Sequence, residues 1–66
     1  MKLIFTKHAL NRMQVKTISK DQIIKTIKYG PKTKQTDGLL ATYTYIQVAY
    51  KIIGDKYIIK TVKVLD

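Results

Sequence analysis

The Gly30-Pro31 step divides the chain into two parts with different hydrophobic periods. Before it, apolar residues recur at helical spacing. After it, they alternate, as in strands with one buried face. A proline cannot continue a helix, and a glycine just before it suits a helix end, so Gly30 reads as a C′ residue. Helices first and strands second define an α+β domain, with the helices packed on one face of an antiparallel sheet.

The helical part resolves into two segments. Lys7 to about Lys16 follows Thr6, a fair N-cap, and carries an apolar stripe at Ala9, Leu10 and Met13. Thr17 to Lys20 interrupts it. Ser19 with Gln22 three residues later forms a capping box for a second helix, whose buried face is Ile23, Ile24 and Ile27. Leu10, Met13, Ile23, Ile27, Val48 and Ile59 are the expected core. Ahead of the helices, Lys2 to Phe5 reads as a short strand or an extended lead-in.

Beyond Pro31, Lys32 to Thr36 is a candidate strand and Asp37-Gly38 a hairpin signal. Leu39 to Ile53 reads as one long strand or two pieces. Gly54-Asp55 suits a two-residue type II′ turn before a strand from Lys56 to Leu65. That turn pairs Ile53 with Lys56, Ile52 with Tyr57, Tyr50 with Ile59 and Val48 with Thr61. The face with Ile46, Val48, Tyr50, Ile52, Tyr57, Ile59 and Thr61 should then meet the helices. The mixed, partly basic face carries Tyr45, Gln47, Ala49, Lys51, Ile58, Lys60, Val62 and Val64. The expected sheet has three to four strands.

At 66 residues this is a single domain spanning 1–66, with a thin stability margin. It has no cysteine, which fits a reducing, cytoplasmic setting. No stretch has the apolar length of a signal peptide or approaches the roughly 18 residues of a membrane span, so no membrane partner is expected.

Charge is the strongest functional signal. Thirteen Lys and Arg face four acids, for a formal charge of +9. All four acids are aspartates with structural posts. Asp21 lies in a helix first turn, Asp37 and Asp55 beside turn glycines, and Asp66 at the end of the chain. None is left for paired-carboxylate catalysis or a carboxylate metal site, and no cofactor or metal is expected. A lysine-rich surface can serve solubility alone. An excess this one-sided points to a nucleic-acid partner, with RNA favoured.

His8 and Arg12 are the only histidine and the only arginine, four apart on one helix face. Histidine can move a proton near neutral pH and arginine can grip a phosphate with its fork. Together they suit metal-independent RNA cleavage by the 2′-hydroxyl. Both also have a structural reading, as a helix-start residue and as a stem covering a sheet edge. Tyr43 and Tyr45 are the better exposed candidates for stacking on bases.

The stretch His8-Ala9-Leu10-Asn11-Arg12-Met13, followed by Ile18-Ser19 and the helix to Gly30, resembles a family of small, mostly uncharacterised bacterial domains. They open with His-Ala-x-x-Arg-Met, continue through an Arg-Gly-Ile step and end in an Ile-Thr-Val strand, to which Ile59-Lys60-Thr61-Val62 is similar. The resemblance implies a RelE-like fold, related to RelE/ParE-like toxins and metal-independent ribonucleases. It matches His8 and Arg12, the catalytic candidates, to the family's motif residues and Thr61 to the last-strand threonine. Lys16 and Thr17 stand where the family has Arg-Gly, and Lys63 where an aromatic often follows.

The function expected is a nucleic-acid-binding, toxin-type ribonuclease. Lys16, Lys51, Lys60, Tyr45 and Thr61 would contact RNA, and an acidic antitoxin would mask the surface. The alternatives are a non-catalytic nucleic-acid-binding accessory protein of phage or mobile-element origin, and an interaction module for an acidic protein partner.

Overall fold

The computed structural model describes residues 1–65; the expectation for Asp66 lies outside them. The order is β1 (Lys2–Phe5), α1 (Lys7–Lys16), α2 (Lys20–Tyr29), β2 (Lys32–Gln35), β3 (Gly38–Tyr43), β4 (Ile46–Ile53) and β5 (Lys56–Val64). The class is α+β, as expected. The sheet is larger than expected: five strands in the order β1-β5-β4-β3-β2. It is mixed, because β1 runs parallel to β5 while the other pairs are antiparallel. The lead-in Lys2–Phe5 supplies that extra strand. Both helices cover one face, α1 over β5 and β1, α2 over β3 and β4.

Thr6 caps α1, its hydroxyl accepting from the Ala9 N–H at 3.1 Å. α1 stops at Thr17, a left-handed residue at φ 55 and ψ 50. The next residue, Ile18, returns its N–H to the Met13 carbonyl at 2.9 Å and buries its side chain in the core. The capping box of α2 is complete. Ser19 Oγ accepts from the Gln22 N–H at 3.2 Å, and Gln22 Oε1 accepts from the Ser19 N–H at 2.8 Å.

Gly30 closes α2 in extended conformation, φ −77 and ψ 144, rather than as a left-handed C′ residue. Glycine is needed there for space. A Cβ would lie 2.3 Å from the Thr42 carbonyl oxygen and 2.7 Å from that of Thr26. Bare backbone thus lets α2 hand the chain directly onto the sheet.

The core joins Ala9, Ile18, Ile23, Ile27, Ala41, Ile46, Val48, Tyr50, Ile59 and Val62, with Met13 packed against it. Leu10 was expected there but is 53% exposed. α1 turns Ala9 and Met13 inward, and Leu10, one position on from Ala9, rotates out by about 100°.

The stretch Leu39–Ile53 is two strands, joined by a tight turn at Thr44-Tyr45 that pairs Tyr43 with Ile46. Thr44 sits at φ 55. The β4–β5 register is as expected from Ile53–Lys56 through Tyr50–Ile59, and then shifts. Lys60 is the extra residue of a β-bulge, so Ala49 pairs with Thr61 and Val48 with Val62. This corrects the Val48–Thr61 pairing. It turns Val62 and Val64 toward the helices and leaves Thr61 on the other face. Ile52 lies on the helix side but beyond the helices, and is exposed.

Candidate nucleic-acid interface

Strand alternation and register fix the sheet face that no helix covers. Tyr50, Val48 and Ile46 point to the core, so Gln47, Ala49, Lys51 and Ile53 point away. Their partners on β5 are Lys63, Thr61, Ile58 and Lys56. β1 adds Lys2 and Ile4, beside Lys56 and Ile58. β3 adds Leu40 and Thr42, beside Ala49 and Gln47. The result is an apolar floor of Ile4, Leu40, Ala49 and Ile58, ringed by Lys2, Lys51, Lys56, Lys60 and Lys63.

The bulge shapes this face. It brings Thr61 to the side that carries Lys51 and Lys60, so three of the expected contact residues come together there. Lys51 and Lys60 converge on Asp37, in the β2–β3 turn. Their Nζ atoms lie 3.6 and 3.7 Å from the same carboxylate oxygen, and Lys60 also donates to the Asp37 carbonyl. Two strands thereby aim two cations at one point in space, and the point is occupied by an anion of the chain itself. Gly38 permits the turn to approach: at φ +120 it lies where a Cβ would be 2.3 Å from the Tyr50 carbonyl oxygen.

His8 and Arg12 lie on α1, on the helix-covered side of the sheet. His8 is exposed in the first turn. Arg12 is half-buried and its Nε donates to the Val62 carbonyl at 3.5 Å. β1 ends at Phe5, opposite Ile59, so the edge of β5 beyond that point lacks a strand. Residues around α1 replace it: the Thr6 N–H donates to the Ile59 carbonyl at 3.1 Å, the Thr6 hydroxyl to that of Lys60 at 3.0 Å, and Arg12 to that of Val62. Arg12 therefore has a structural post that uses Nε and leaves its two Nη groups free of protein partners among the described residues. The sheet stands between this pair and the Lys51–Lys60–Thr61 group. Lys16 is exposed at the end of α1, on the same side as the pair.

Tyr45 does not lie on the basic face. It sits in the β3–β4 turn and faces α2, where its hydroxyl accepts from Gln22 Nε2 at 3.5 Å. The turn at Thr44, which splits Leu39–Ile53 into two pieces, displaces it from the strand position that alternation alone assigned. Tyr50 stacks on Tyr57, ring centroids 5.9 Å apart, within the helix-covered layer. Burial pushes the Tyr50 hydroxyl above its ordinary pKa, and the neighbouring Tyr57 adds to the shift. No group of three or more His, Cys, Asp or Glu side chains among the described residues is arranged to hold a metal ion. No described helix is long and apolar enough to cross a membrane.

No curated protein and no solved structure matches the chain. A family of domains of unknown function, DUF4258, matches residues 5–63, from the end of β1 to near the end of β5, and the chain belongs to it.

Proposed function

We propose that the domain binds RNA through the uncovered face of its sheet. The observation that carries this reading is the convergence of Lys51 and Lys60 on the single carboxylate of Asp37. It is an anion-binding arrangement built on two paired strands, within a face that also carries Lys2, Lys56 and Lys63. A phosphate offers the same oxygen chemistry as the carboxylate and can displace it. Thr61 and Gln47 add neutral hydrogen-bonding groups beside the lysines.

Affinity for a single-stranded RNA, measured from about 50 to 200 mM salt, should fall steeply as counterion release weakens. Lys51→Gln and Lys60→Gln should each weaken binding and reduce the slope of log affinity against log salt by about one. Affinity indifferent to salt, or to both substitutions, overturns the reading.

Cleavage would take place across the sheet from that face, at His8, Arg12 and Lys16, in a cytoplasmic, toxin-type role akin to the RelE/ParE-like proteins and masked by an acidic antitoxin. In that step the RNA 2′-hydroxyl loses its proton and its oxygen bonds to phosphorus. The 5′-oxygen leaves and takes up a proton, so a 2′,3′-cyclic phosphate results. His8 would carry one of the two protons, and the free Nη groups of Arg12 and the Lys16 ammonium would hold the phosphate. Its support is the exposure of His8 beside a fixed Arg12. RNA should then be cut in excess EDTA, and His8→Gln should slow cutting by about 10²–10⁴-fold at unchanged affinity. Wild-type protein that leaves free and ribosome-bound RNA intact is a binder only, as an accessory protein would be.

A further inference from the structure

The β3–β4 turn and α2 enclose a second site, remote from the lysine face. α2 carries Gln22, Lys25, Thr26 and Tyr29 at the spacing i, i+3, i+4, i+7, which places them in one stripe. Opposite the stripe stand Tyr43 and Tyr45, on either side of Thr44, with Ile46 beneath. The cleft between Gln22, Lys25 and Thr26 of the stripe and this turn has a volume of about 170 Å³. Tyr29 packs against Tyr43 with ring centroids 6.1 Å apart and planes tilted by 48°, so neither ring covers the other's face. Tyr29, Tyr43 and Tyr45 are 66%, 37% and 51% exposed.

The walls are held in place from below. Thr26 is fully buried and its hydroxyl donates to the Gln22 carbonyl at 2.7 Å, so it needs nothing from a ligand. Gln22 is fixed by the α2 capping box through Oε1 and donates from Nε2 to the Tyr45 hydroxyl. The capping box thus orients an aromatic side chain of the opposite wall. Among the described residues, Lys25 is the one ionic group lining the cleft, and no carboxylate lines it.

Exposed aromatic faces beside a lysine suit a base with its phosphate. Drug-sized ligands fill roughly 300–1,000 Å³. This smaller cleft suits one planar ring. An acidic peptide would use Lys25 but leave the tyrosine faces unused. We propose that the cleft holds one unpaired nucleobase of a single strand, stacked on tyrosine, with the adjoining phosphate on Lys25. This rests on the RNA-binding reading and adds to it a preference for unpaired RNA, which the lysine face alone does not supply.

The test compares a uridylate decamer with an RNA duplex of the same length at one salt concentration, using the whole chain. Tyr43→Ala and Tyr45→Ala should each weaken decamer binding by about five- to hundredfold, the usual worth of a stacked base. Duplex binding should hold. Tyr43→Phe and Tyr45→Phe, which keep the ring, should retain decamer affinity. Uridine monophosphate should shift the ring resonances of both tyrosines in the wild type. Tyr45 lies in an exposed turn, so its Ala variant tests the idea even if Tyr43→Ala unfolds. Decamer affinity unchanged in Tyr45→Ala, with Lys51→Gln still weakening it, overturns the cleft and leaves the lysine face standing. A polyaspartate decamer that shifts these rings where the nucleotide does not assigns the cleft to an acidic peptide and overturns the proposal. Wild-type protein that binds neither RNA removes the RNA reading and the cleft with it.

Discussion

The hydroxyl of Thr6 donates to the carbonyl of Lys60, 54 positions later in the chain. The same oxygen accepts from the Ala9 N–H. One side chain therefore caps α1 and satisfies the backbone at the bulge that shapes the lysine face. Thr6→Ala should cost about 1–2 kcal/mol, at or above the middle of the range for an N-cap because a strand carbonyl loses its donor too. Thr6→Ser keeps both bonds and should stay close to wild type. Denaturant midpoints check this, and a Thr6→Ala protein as stable as wild type would contradict it.

Thr17 and Thr44 are both left-handed, each at φ 55. A β-branched residue there costs roughly 1–2 kcal/mol, partly offset in a glycine variant by glycine's greater entropy loss. Thr17→Gly should stabilise the domain by about 0.5–1 kcal/mol. Glycine is also what the resembling bacterial domains carry at that step. Thr44→Gly should act in the same direction. Thermal melts suffice, and a lowered melting temperature in both variants would show that the turns are not strained.

Asp37 competes with any external anion for Lys51 and Lys60. Asp37→Asn removes the competing charge and should raise RNA affinity while barely changing stability, because the pair is largely exposed and such ion pairs contribute little. Affinity that falls in Asp37→Asn would mean that the carboxylate orders the lysines rather than blocking them.

Tyr50 gives the fold an alkaline limit. An unfolded tyrosine ionises near 10.0, and burial holds the proton on Tyr50 to higher pH. Its contribution is complete below that ordinary value. Above it, the unfolded chain releases the proton first, so stability falls as pH rises toward the raised value. Urea unfolding at pH about 9 and about 11 should show a smaller loss in Tyr50→Phe than in wild type. An equal loss would place the alkaline sensitivity elsewhere.

The helices were legible because their ends are written in side chains: Thr6, Ser19 with Gln22, and Gly30-Pro31 each stop or start a helix by a local bond or clash. The β4–β5 hairpin was legible for the same reason at Gly54-Asp55. The β3–β4 turn was legible only as one of two alternatives and could not be located, since Tyr43-Thr44-Tyr45 has the composition of a strand and turns through a strained threonine. Without its location, alternation put Tyr45 on the wrong face. The bulge at Lys60 carries no local signature either. It is set by what lies across the sheet, where Val62 fills the core and Thr6 meets the Lys60 carbonyl. Pairing of β1 with β5 joins segments more than fifty positions apart, and no local pattern announces it. Within the candidate site, charge pointed to the lysines, but only the register shows that Lys51, Lys60 and Thr61 share a face while His8 and Arg12 lie on the other side of the sheet.

The place of β5 between β1 and β4 has a consequence for biosynthesis. β1 has no strand partner until residues 56–64 follow, and α1 lacks the β5 surface on which it mainly rests until then. While the chain is being made, its first half is an unsupported strand and two amphipathic helices with Ile23 and Ile27 uncovered. Docking of β1 and α1 waits until residues 56–64 have been made, and their apolar surfaces stay exposed until then. Stalling a ribosome just before residue 56 should leave β1 and α1 sensitive to protease.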